Sequence, residues 1–355
     1  MTETHACINA IGCAVPDQDV HRPFIAWASR KIGKERDRLL FERMAERSGI
    51  DHRWSVLPPA RDGGSPVEPG GFYADGMPST APRMDLYAEF APALALDAIE
   101  RLGAQVDLDP VSHLVVASCT GFVAPGIDQI IAERLGITGA ERTLIGFMGC
   151  YAAVAALRTA RHIVRSEPEA RVLVVTVELS SLHLQDEGQI ERLLMMLQFG
   201  DGAAAALVTA EGEGLLIEQP FAINLADSAN LIRWAIGDTG FVMHLSGDVP
   251  RRIQAALRDK AIRRQILGAQ PSAIDSWAVH AGGRSILDAV EHGLELDEQA
   301  LSASRGVLAR YGNMSSSTLM FILAELIGQT ECSNGIALAF GPGLAAEGFH
   351  FERAE

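Results

Sequence analysis

The chain has 355 residues, of which 48% are hydrophobic and 21% charged, so it can bury a large core. Its formal net charge of −15 argues against a nucleic-acid partner. No apolar run approaches the ~20 residues needed to span a bilayer, and no basic region precedes an apolar stretch at the N-terminus. We therefore expect no membrane insertion, no secretory signal and a cytoplasmic location.

Short apolar runs alternate with longer helical patterns along the chain. Runs that are apolar at nearly every position are typical of strands buried on both faces. In the first half, such runs predict strands at 113–120, 143–149 and 171–180. Helical patterns predict helices at 91–102, 127–135 and 151–164. This alternation favours an α/β architecture in which helices cover a sheet.

The second half repeats this organisation with apolar or helical segments at 276–283, 312–326 and 335–340. Gly149-Cys150 opens a helix rich in small residues in the first half, and Gly312-Asn313 opens a comparable helix in the second. We therefore predict two related halves, residues 1–222 and 223–355. Each half would place one functional residue at a helix N-terminus.

Cys150 is the first candidate for chemistry. The five cysteines are odd in number and form no CxxC pair, which favours free thiols over a disulfide framework or a zinc site. Cys150 stands between an apolar strand and an Ala-rich helix, where the helix dipole and unpaired N–H groups would stabilise a thiolate. The local sequence is equally compatible with a buried structural cysteine.

Two polar residues of the second half are further candidates. His280 ends a predicted buried strand just before two glycines, which would let a substrate approach the backbone. Asn313 begins a predicted helix, where Asn is favoured as an N-cap, and its amide could also donate to a developing oxyanion. Taken singly, they are also compatible with a core histidine and an ordinary cap. The sequence contains no P-loop, GxSxG elbow or HExxH motif, and we expect no metal site.

An ordered set of segments resembles the type III polyketide synthases, the chalcone synthase-like branch of the thiolase superfamily. The resemblance implies a thiolase-like layered αβαβα fold, usually in a homodimer. It rests on the turn around Cys150 and on RMAERSGIDHR at 43–53, FGDGAAAALV at 199–208, HLSGDVP at 244–250, WAVHAGGRSILDAVE at 277–291, RYGNMSSSTLMFIL at 310–323 and AFGPGLAAEGF at 339–349.

Cys150, His280 and Asn313 match the catalytic Cys, His and Asn of that family residue by residue. The resemblance implies that a thiolate at Cys150, kept deprotonated by His280, accepts an acyl group from acyl-CoA. His280 and Asn313 would then stabilise the enolate that forms when malonyl-CoA loses carbon dioxide. That carbanion would attack the acyl group on Cys150, so the resemblance implies no cofactor.

The resemblance also implies binding residues. Arg43 and Arg47, which are spaced to share a helix face, match positions that contact the CoA phosphates. Arg284 is a further candidate only because it lies close to His280 in the sequence. Plant members place two phenylalanines between CoA tunnel and cavity; Phe199 matches the first, whereas Met243 replaces the second. The expected substrate pocket comprises these two residues and Cys119, Ala124, Ser180, Ser315 and Phe340.

The expected activity is iterative condensation of malonyl-CoA onto an acyl-CoA starter, followed by cyclisation to a pyrone or resorcinol-type product. One alternative is a single condensation like that of a β-ketoacyl-acyl carrier protein synthase III, which takes malonyl from a carrier protein. Another is a catalytically silent scaffold or partner-binding protein. Turnover of malonyl-CoA without a carrier protein distinguishes the expected activity from both.

Overall fold

A computed structural model describes residues 4–268 and 274–354, and its elements alternate as the sequence pattern predicts. The helices are α1 (His21–Lys31), α2 (Glu35–Glu46), α3 (Thr80–Gly103), α4 (Ile127–Leu135), α5 (Ala152–Ser166), α6 (Ile190–Met196), α7 (Val249–Arg258), α8 (Lys260–Leu267), α9 (Arg284–Leu294), α10 (Ser302–Tyr311) and α11 (Ser316–Ile327). The strands are β1 (Cys7–Ala14), β2 (Gln18–Asp19), β3 (Trp54–Ser55), β4 (His113–Ser118), β5 (Glu141–Gly146), β6 (Val172–Leu179), β7 (Asp201–Thr209), β8 (Leu215–Asn224), β9 (Ile232–Gly237), β10 (Gly240–Leu245), β11 (Ser276–Val279), β12 (Asn334–Gly341) and β13 (Ala345–Arg353).

Nine strands of the described residues form one mixed sheet in the order β11-β12-β13-β8-β1-β7-β6-β4-β5. The sheet is continuous because β1 and β8 pair, although only through Cys7 with Leu216 and Ile8 with Leu215. The short pairs β2-β3 and β9-β10 stand apart from it. The narrow junction between β1 and β8 therefore joins two groups of strands.

The two groups of strands have the same pairing pattern. In one group β4 is parallel to β6, β6 antiparallel to β7, and β7 antiparallel to β1. In the other, β11 is parallel to β12, β12 antiparallel to β13, and β13 antiparallel to β8. The predicted boundary after residue 222 falls inside β8, whose partner β13 lies in the second group. The division of the chain into two related halves stays a prediction.

Small residues let helices approach the sheet closely. Strand β7 is buried along its whole length and carries a run of four alanines, and α5 buries Ala152, Ala153, Ala156 and Ala160. At Gly12 of β1, a side-chain carbon would lie 2.3 Å from the carbonyl oxygen of Ala98 in α3. This close packing brings α5 into contact with α11 in the interior.

The strands β4 and β6 are fully buried, as predicted, whereas β5 is not. Strand β5 is one edge of the sheet and most of its residues are exposed, although its sequence is apolar over 143–149. Helix α4 has the predicted limits, and α3 begins at Thr80 rather than at residue 91. No helix in the described ranges combines the length and apolarity that crossing a bilayer requires.

Candidate active site

Cys150 is held in a tight turn between the edge strand β5 and helix α5. Gly149 adopts φ 79°, and a Cβ there would lie 2.4 Å from the Pro342 side chain, so only glycine fits this position. Cys150 itself is 8% exposed and stands two residues before α5 begins. Backbone geometry and close packing therefore direct the thiol inward at a helix N-terminus. Cys7, Cys13, Cys119, Cys150 and Cys332 are all free.

His280 follows the last residue of β11 and is buried, with 1% exposure. Its N–H donates to the carbonyl of Leu338 at 2.8 Å, which continues the pairing of β11 with β12. Neither ring nitrogen has a hydrogen-bond partner among the described residues. A buried imidazole in this state can accept a proton or bind an incoming group.

Asn313 does not cap a helix, because α11 begins at Ser316. Instead, the Asn313 backbone forms an isolated parallel β-bridge with Phe199, and the Asn313 N–H donates to the carbonyl of Gln198 at 2.8 Å. The side-chain Oδ1 accepts from the N–H of Ser315 at 2.9 Å, and Nδ2 donates to the carbonyl of Gly282 at 3.2 Å. These bonds fix the orientation of the amide.

The three candidate catalytic side chains line one cavity of about 720 Å³, here called the nucleophile chamber. They come from turns after β5 and β11 and from the segment before α11. Of the predicted pocket residues, Ala124 is exposed and does not line this chamber. The others do: Cys119, Ser180, Phe199, Met243, Ser315 and Phe340.

Burial disfavours an isolated charge on either Cys150 or His280. It raises the pKa of Cys150 to about 12; a hydrogen bond with the Ser315 side chain opposes this shift and the charge of Glu178 adds to it. Burial also lowers the pKa of His280 to about 3. Desolvation therefore outweighs the helix-terminus effect expected from the sequence, so burial alone keeps each group neutral.

Ser315 supplies this hydrogen bond from a strained backbone. Its φ of 49° lies in the left-handed region, which a residue with a side chain rarely occupies. Such strain persists where surrounding contacts fix the residue, as the bond from its N–H to Asn313 does here. Ser315 thus links the carboxamide to the thiol.

Glu178 is a buried carboxylate near the site that the sequence analysis missed. It accepts hydrogen bonds from the N–H of Cys119 and the hydroxyl of Thr120, both at 2.9 Å, and from the hydroxyl of Ser316. Burial raises its pKa to about 7, against the effect of these bonds. An acidic residue inside the apolar strand sequence VLVVTVEL was the signal for such a network.

The three candidate CoA-binding arginines are exposed, and two of them are in contact. Arg43 is on α2, Arg47 caps its C-terminal end one residue beyond the helix, and Arg284 is the first residue of α9. Nη1 of Arg284 donates to the carbonyl of Arg47 at 3.1 Å. Gly282 and Ile286, on either side of Arg284, line the nucleophile chamber, so this cationic surface adjoins it.

A second cavity, of about 870 Å³ and here called the adjoining chamber, lies next to the first. Ser180, Phe199, Trp234 and Met243 line both chambers and form the wall between them. Nε1 of Trp234 donates to the carbonyl of Cys119 at 3.0 Å, which holds the indole in that wall. No sequence signal singled out Trp234. In the part of the chain described, no cluster of three or more His, Cys, Asp or Glu residues is suited to a metal ion.

Comparison with known proteins assigns the chain to a family. Residues 1–212 match the N-terminal domain of chalcone and stilbene synthases, and residues 217–353 match the C-terminal domain. The α-pyrone synthesis polyketide synthase-like Pks18 of Mycobacterium tuberculosis is 34% identical over 287 residues, covering 76% of this chain and 72% of that protein. Bisdemethoxycurcumin synthase of Oryza sativa is 32% identical over 295 residues, covering 76% and 73%.

Solved structures show the same architecture. PKS-I from the brown alga Ectocarpus siliculosus superimposes with a TM-score of 0.88 and 29% identity, covering 100% of both chains. The C-terminal type III polyketide synthase domain of Steely1 from Dictyostelium superimposes with a TM-score of 0.87 at 23% identity, covering 99% of this chain and 100% of that one, and supports the fold alone.

The thiolase-like fold and these relatives place the chain among the carbon–carbon bond-forming acyltransferases. Within that class, it belongs to the chalcone and stilbene synthase family, the type III polyketide synthases. Enzymes of this family use malonyl-CoA and acyl-CoA thioesters and need no cofactor. The comparisons support neither the β-ketoacyl-acyl carrier protein synthase III alternative nor the silent scaffold.

Proposed function

We propose that Cys150 carries the growing acyl chain and that His280 and Asn313 bind the malonyl thioester during decarboxylation. The observation that carries this proposal is the convergence of the three side chains on one buried chamber. They are separated by up to 163 positions in the sequence, from Cys150 to Asn313. A thiol, an unpartnered imidazole and an oriented carboxamide together supply a nucleophile, a base and hydrogen-bond donors.

Each step balances with these groups and the two substrates. The Cys150 sulfur bonds to the starter carbonyl carbon, the bond from that carbon to the CoA sulfur breaks, and CoA leaves as the thiol with a proton from His280. Malonyl-CoA then loses carbon dioxide, and the electron pair of the broken carbon–carbon bond forms an enolate. The enolate carbon attacks the Cys150 thioester, which releases the thiolate and yields a chain two carbons longer on CoA. When that chain returns to Cys150, the bond from its carbonyl carbon to the CoA sulfur breaks, CoA leaves as the thiol with a proton that His280 takes from water, and the next cycle starts.

The proton that leaves Cys150 goes to His280. Burial disfavours each charge separately, since it raises the thiol pKa and lowers the imidazole pKa. Two opposite charges formed together in the same chamber offset part of both costs. The thiolate in this proposal therefore exists as an ion pair with His280.

The starter chain extends into the adjoining chamber across the wall formed by Phe199 and Met243. That chamber is lined mainly by apolar side chains, including Phe24, Leu57 and Met195, and suits the hydrocarbon part of an acyl-CoA. Because Met243 is flexible, it can move aside more readily than an aromatic ring. We assign a pyrone or resorcinol-type product, and the α-pyrone synthesis after which the relative Pks18 is named supports the pyrone.

The arginine surface of Arg43, Arg47 and Arg284 binds the CoA phosphates. Guanidinium groups match phosphate by charge and by their paired donors, and the N-terminus of α9 adds unpaired N–H groups. The pantetheine arm then enters beside Gly282, which lines the nucleophile chamber. A local cationic surface of this kind binds an anionic substrate although the whole chain carries a net charge of −15.

The active form is a homodimer in the cytoplasm. Strand β5 pairs with β4 alone among the described residues, so its other side offers unpaired backbone groups. Leu144 and Phe122 beside this edge are 45% and 44% exposed. Ala124, which is exposed and follows Phe122 closely, is placed to contact a partner subunit rather than its own chamber.

The test is to incubate the purified protein with labelled malonyl-CoA and a panel of acyl-CoA starters, without a carrier protein. We expect carbon dioxide release and pyrone or resorcinol products by mass spectrometry, and no condensation by Cys150→Ala. Product formed by Cys150→Ala would overturn the assignment of the nucleophile. Absence of both carbon dioxide and product in the wild type would overturn the proposed function.

A further inference from the structure

Within the proposed function, we infer that the adjoining chamber binds an acyl chain that bears a neutral oxygen, as a hydroxyl or keto group. The inference rests on Arg53, a buried cation in the wall of that chamber whose hydrogen bonds are incomplete. It assigns the chamber a chemical preference as well as a size. The ligand class is an oxygenated fatty acyl thioester.

Arg53 is 3% exposed, and three of its contacts are with other residues that line the adjoining chamber. Nη1 donates to the carbonyls of Met196 at 3.2 Å and Phe199 at 2.7 Å, and the guanidinium carbon lies 4.7 Å from the centre of the Phe24 ring. Nε donates to Nδ1 of His21 at 3.0 Å. Nη2 is buried and has no hydrogen-bond partner among the described residues.

An unpaired N–H on a buried cation destabilises the protein unless something accepts its hydrogen bond. Burial lowers the pKa of Arg53 to about 10, and the nearby carboxylates of Asp19 and Asp201 oppose this shift. In the described part of the chain, neither carboxylate accepts from the guanidinium; Asp201, for example, accepts from the N–H groups of Val56 and Ser181. The two carboxylates therefore compensate part of the cost of burying the positive charge while one donor is left over, a combination that suits a neutral oxygen.

A second residue with an unpaired polar atom lines the same chamber. Ser65 is 6% exposed, lines the chamber, and its Oγ is buried without a partner among the described residues. Apolar side chains dominate the rest of the lining, including Leu57, Val67 and Met195. A fitting ligand therefore needs a long apolar part together with an oxygen that reaches these donors.

Affinity measurements on the Cys150→Ala protein test the inference without turnover. Calorimetry would compare dodecanoyl-CoA with a set of hydroxydodecanoyl-CoA isomers whose hydroxyl stands at successive carbons. We expect at least one isomer to bind about tenfold more tightly than dodecanoyl-CoA, as one hydrogen bond to a charged donor provides. If dodecanoyl-CoA binds and no isomer binds more tightly, the inference fails while the proposed function stands. If no thioester binds, both fail.

Variants identify the donor. Arg53→Lys should abolish the preference for the hydroxylated isomer, measured as the ratio of the two dissociation constants. Arg83→Lys is the matched control, because Arg83 is also buried, its Nη2 has no partner among the residues that the structure describes, and it does not line the chamber. Its ratio should equal that of the parent protein. Equal ratios of the dissociation constants in Arg53→Lys and Arg83→Lys would show that Arg53 is not the donor. If Arg53→Lys does not fold, the isomer series on the Cys150→Ala protein still tests whether the chamber prefers an oxygenated chain.

Discussion

In the proposed mechanism, Cys150 and His280 depend on each other for charge, because burial raises the pKa of one and lowers that of the other. A thiolate without the imidazolium would have to exist in a buried chamber with little compensation beyond the Ser315 side chain. Removing His280 should therefore leave the thiol with the raised pKa that its burial favours. The reactivity of the sulfur reports this directly, since only the thiolate is alkylated.

We predict that His280→Ala slows alkylation of Cys150 by iodoacetamide at neutral pH at least about 100-fold. The rate in the variant should rise about tenfold per pH unit up to the thiol pKa, whereas the wild-type rate changes little around neutrality. Peptide mass spectrometry would follow Cys150, with Cys13 as an internal reference whose labelling should not change. Equal rates for Cys150 in the two proteins would show that His280 does not hold the thiolate.

Cys150→Gln should separate the two chemical steps. The glutamine amide resembles an acylated cysteine and leaves His280 and Asn313 in place to stabilise the enolate. We expect this variant to release carbon dioxide from malonyl-CoA without forming a longer chain, and Cys150→Ala to form no longer chain. Loss of decarboxylation in a folded Cys150→Gln protein would indicate that the thiol itself takes part in that step.

At the scale of the element, the end of α2 is the feature most open to test. Replacing Arg43 and Arg47 with alanine should raise KM for CoA substrates about tenfold or more, with a much smaller effect on kcat, because the phosphates lie far from the reacting carbons. Steady-state kinetics with malonyl-CoA would measure both constants.

The matched control is the double replacement of Arg36 and Arg38, which are exposed on the same helix and carry the same charge. Its KM should stay close to that of the wild type. A similar rise in KM in both double variants would show that the rise comes from the loss of long-range electrostatic attraction and not from specific phosphate contacts. An unchanged KM for the Arg43 and Arg47 variant would show that these residues do not bind CoA.

The sequence predicted the elements best where periodicity and burial agree. Apolar runs gave β4 and β6, and the amphipathic pattern gave the limits of α4. The same reasoning was wrong for the burial of β5, since an apolar run indicates that a strand will be covered but does not show what covers it. The start of α3 at Thr80 was missed because the preceding segment, rich in proline and glycine, is typical of a loop.

The site was predictable only in part, for a related reason. The resemblance identified Cys150, His280 and Asn313, and their convergence on one chamber agrees with it, while their catalytic roles stay a prediction. Trp234 could not be found, because its place in the wall between the chambers depends on how the β9-β10 hairpin packs against Cys119. Contacts so distant in sequence leave no local pattern.

At the scale of the whole molecule, the sheet topology explains why residues from distant segments meet. The strands β6 and β12 occupy equivalent places in the two groups, and the helices that precede them, α5 and α11, contact each other in the interior. Cys150 precedes α5 and Asn313 precedes α11, so the contact between the helices brings the two residues to one chamber. Small residues on α5 make this approach possible.

The exposed edge of that sheet gives the prediction at the largest scale. Strand β5 has an unpaired side, and the apolar side chain of Leu144 on it is 45% exposed, so a second copy of the chain would bury both. A carboxylate at this position would be desolvated in the interface, and Leu144→Asp should therefore weaken association strongly. Sedimentation should give the wild type a mass of twice the 38.0 kDa of one chain, and Leu144→Asp the mass of one chain.

The control is Ile236→Asp, since Ile236 is 58% exposed on β9 and lies outside this edge. The Ile236→Asp protein should remain dimeric. A monomeric wild type, or a Leu144→Asp protein that still sediments as a dimer, would exclude β5 as the subunit interface.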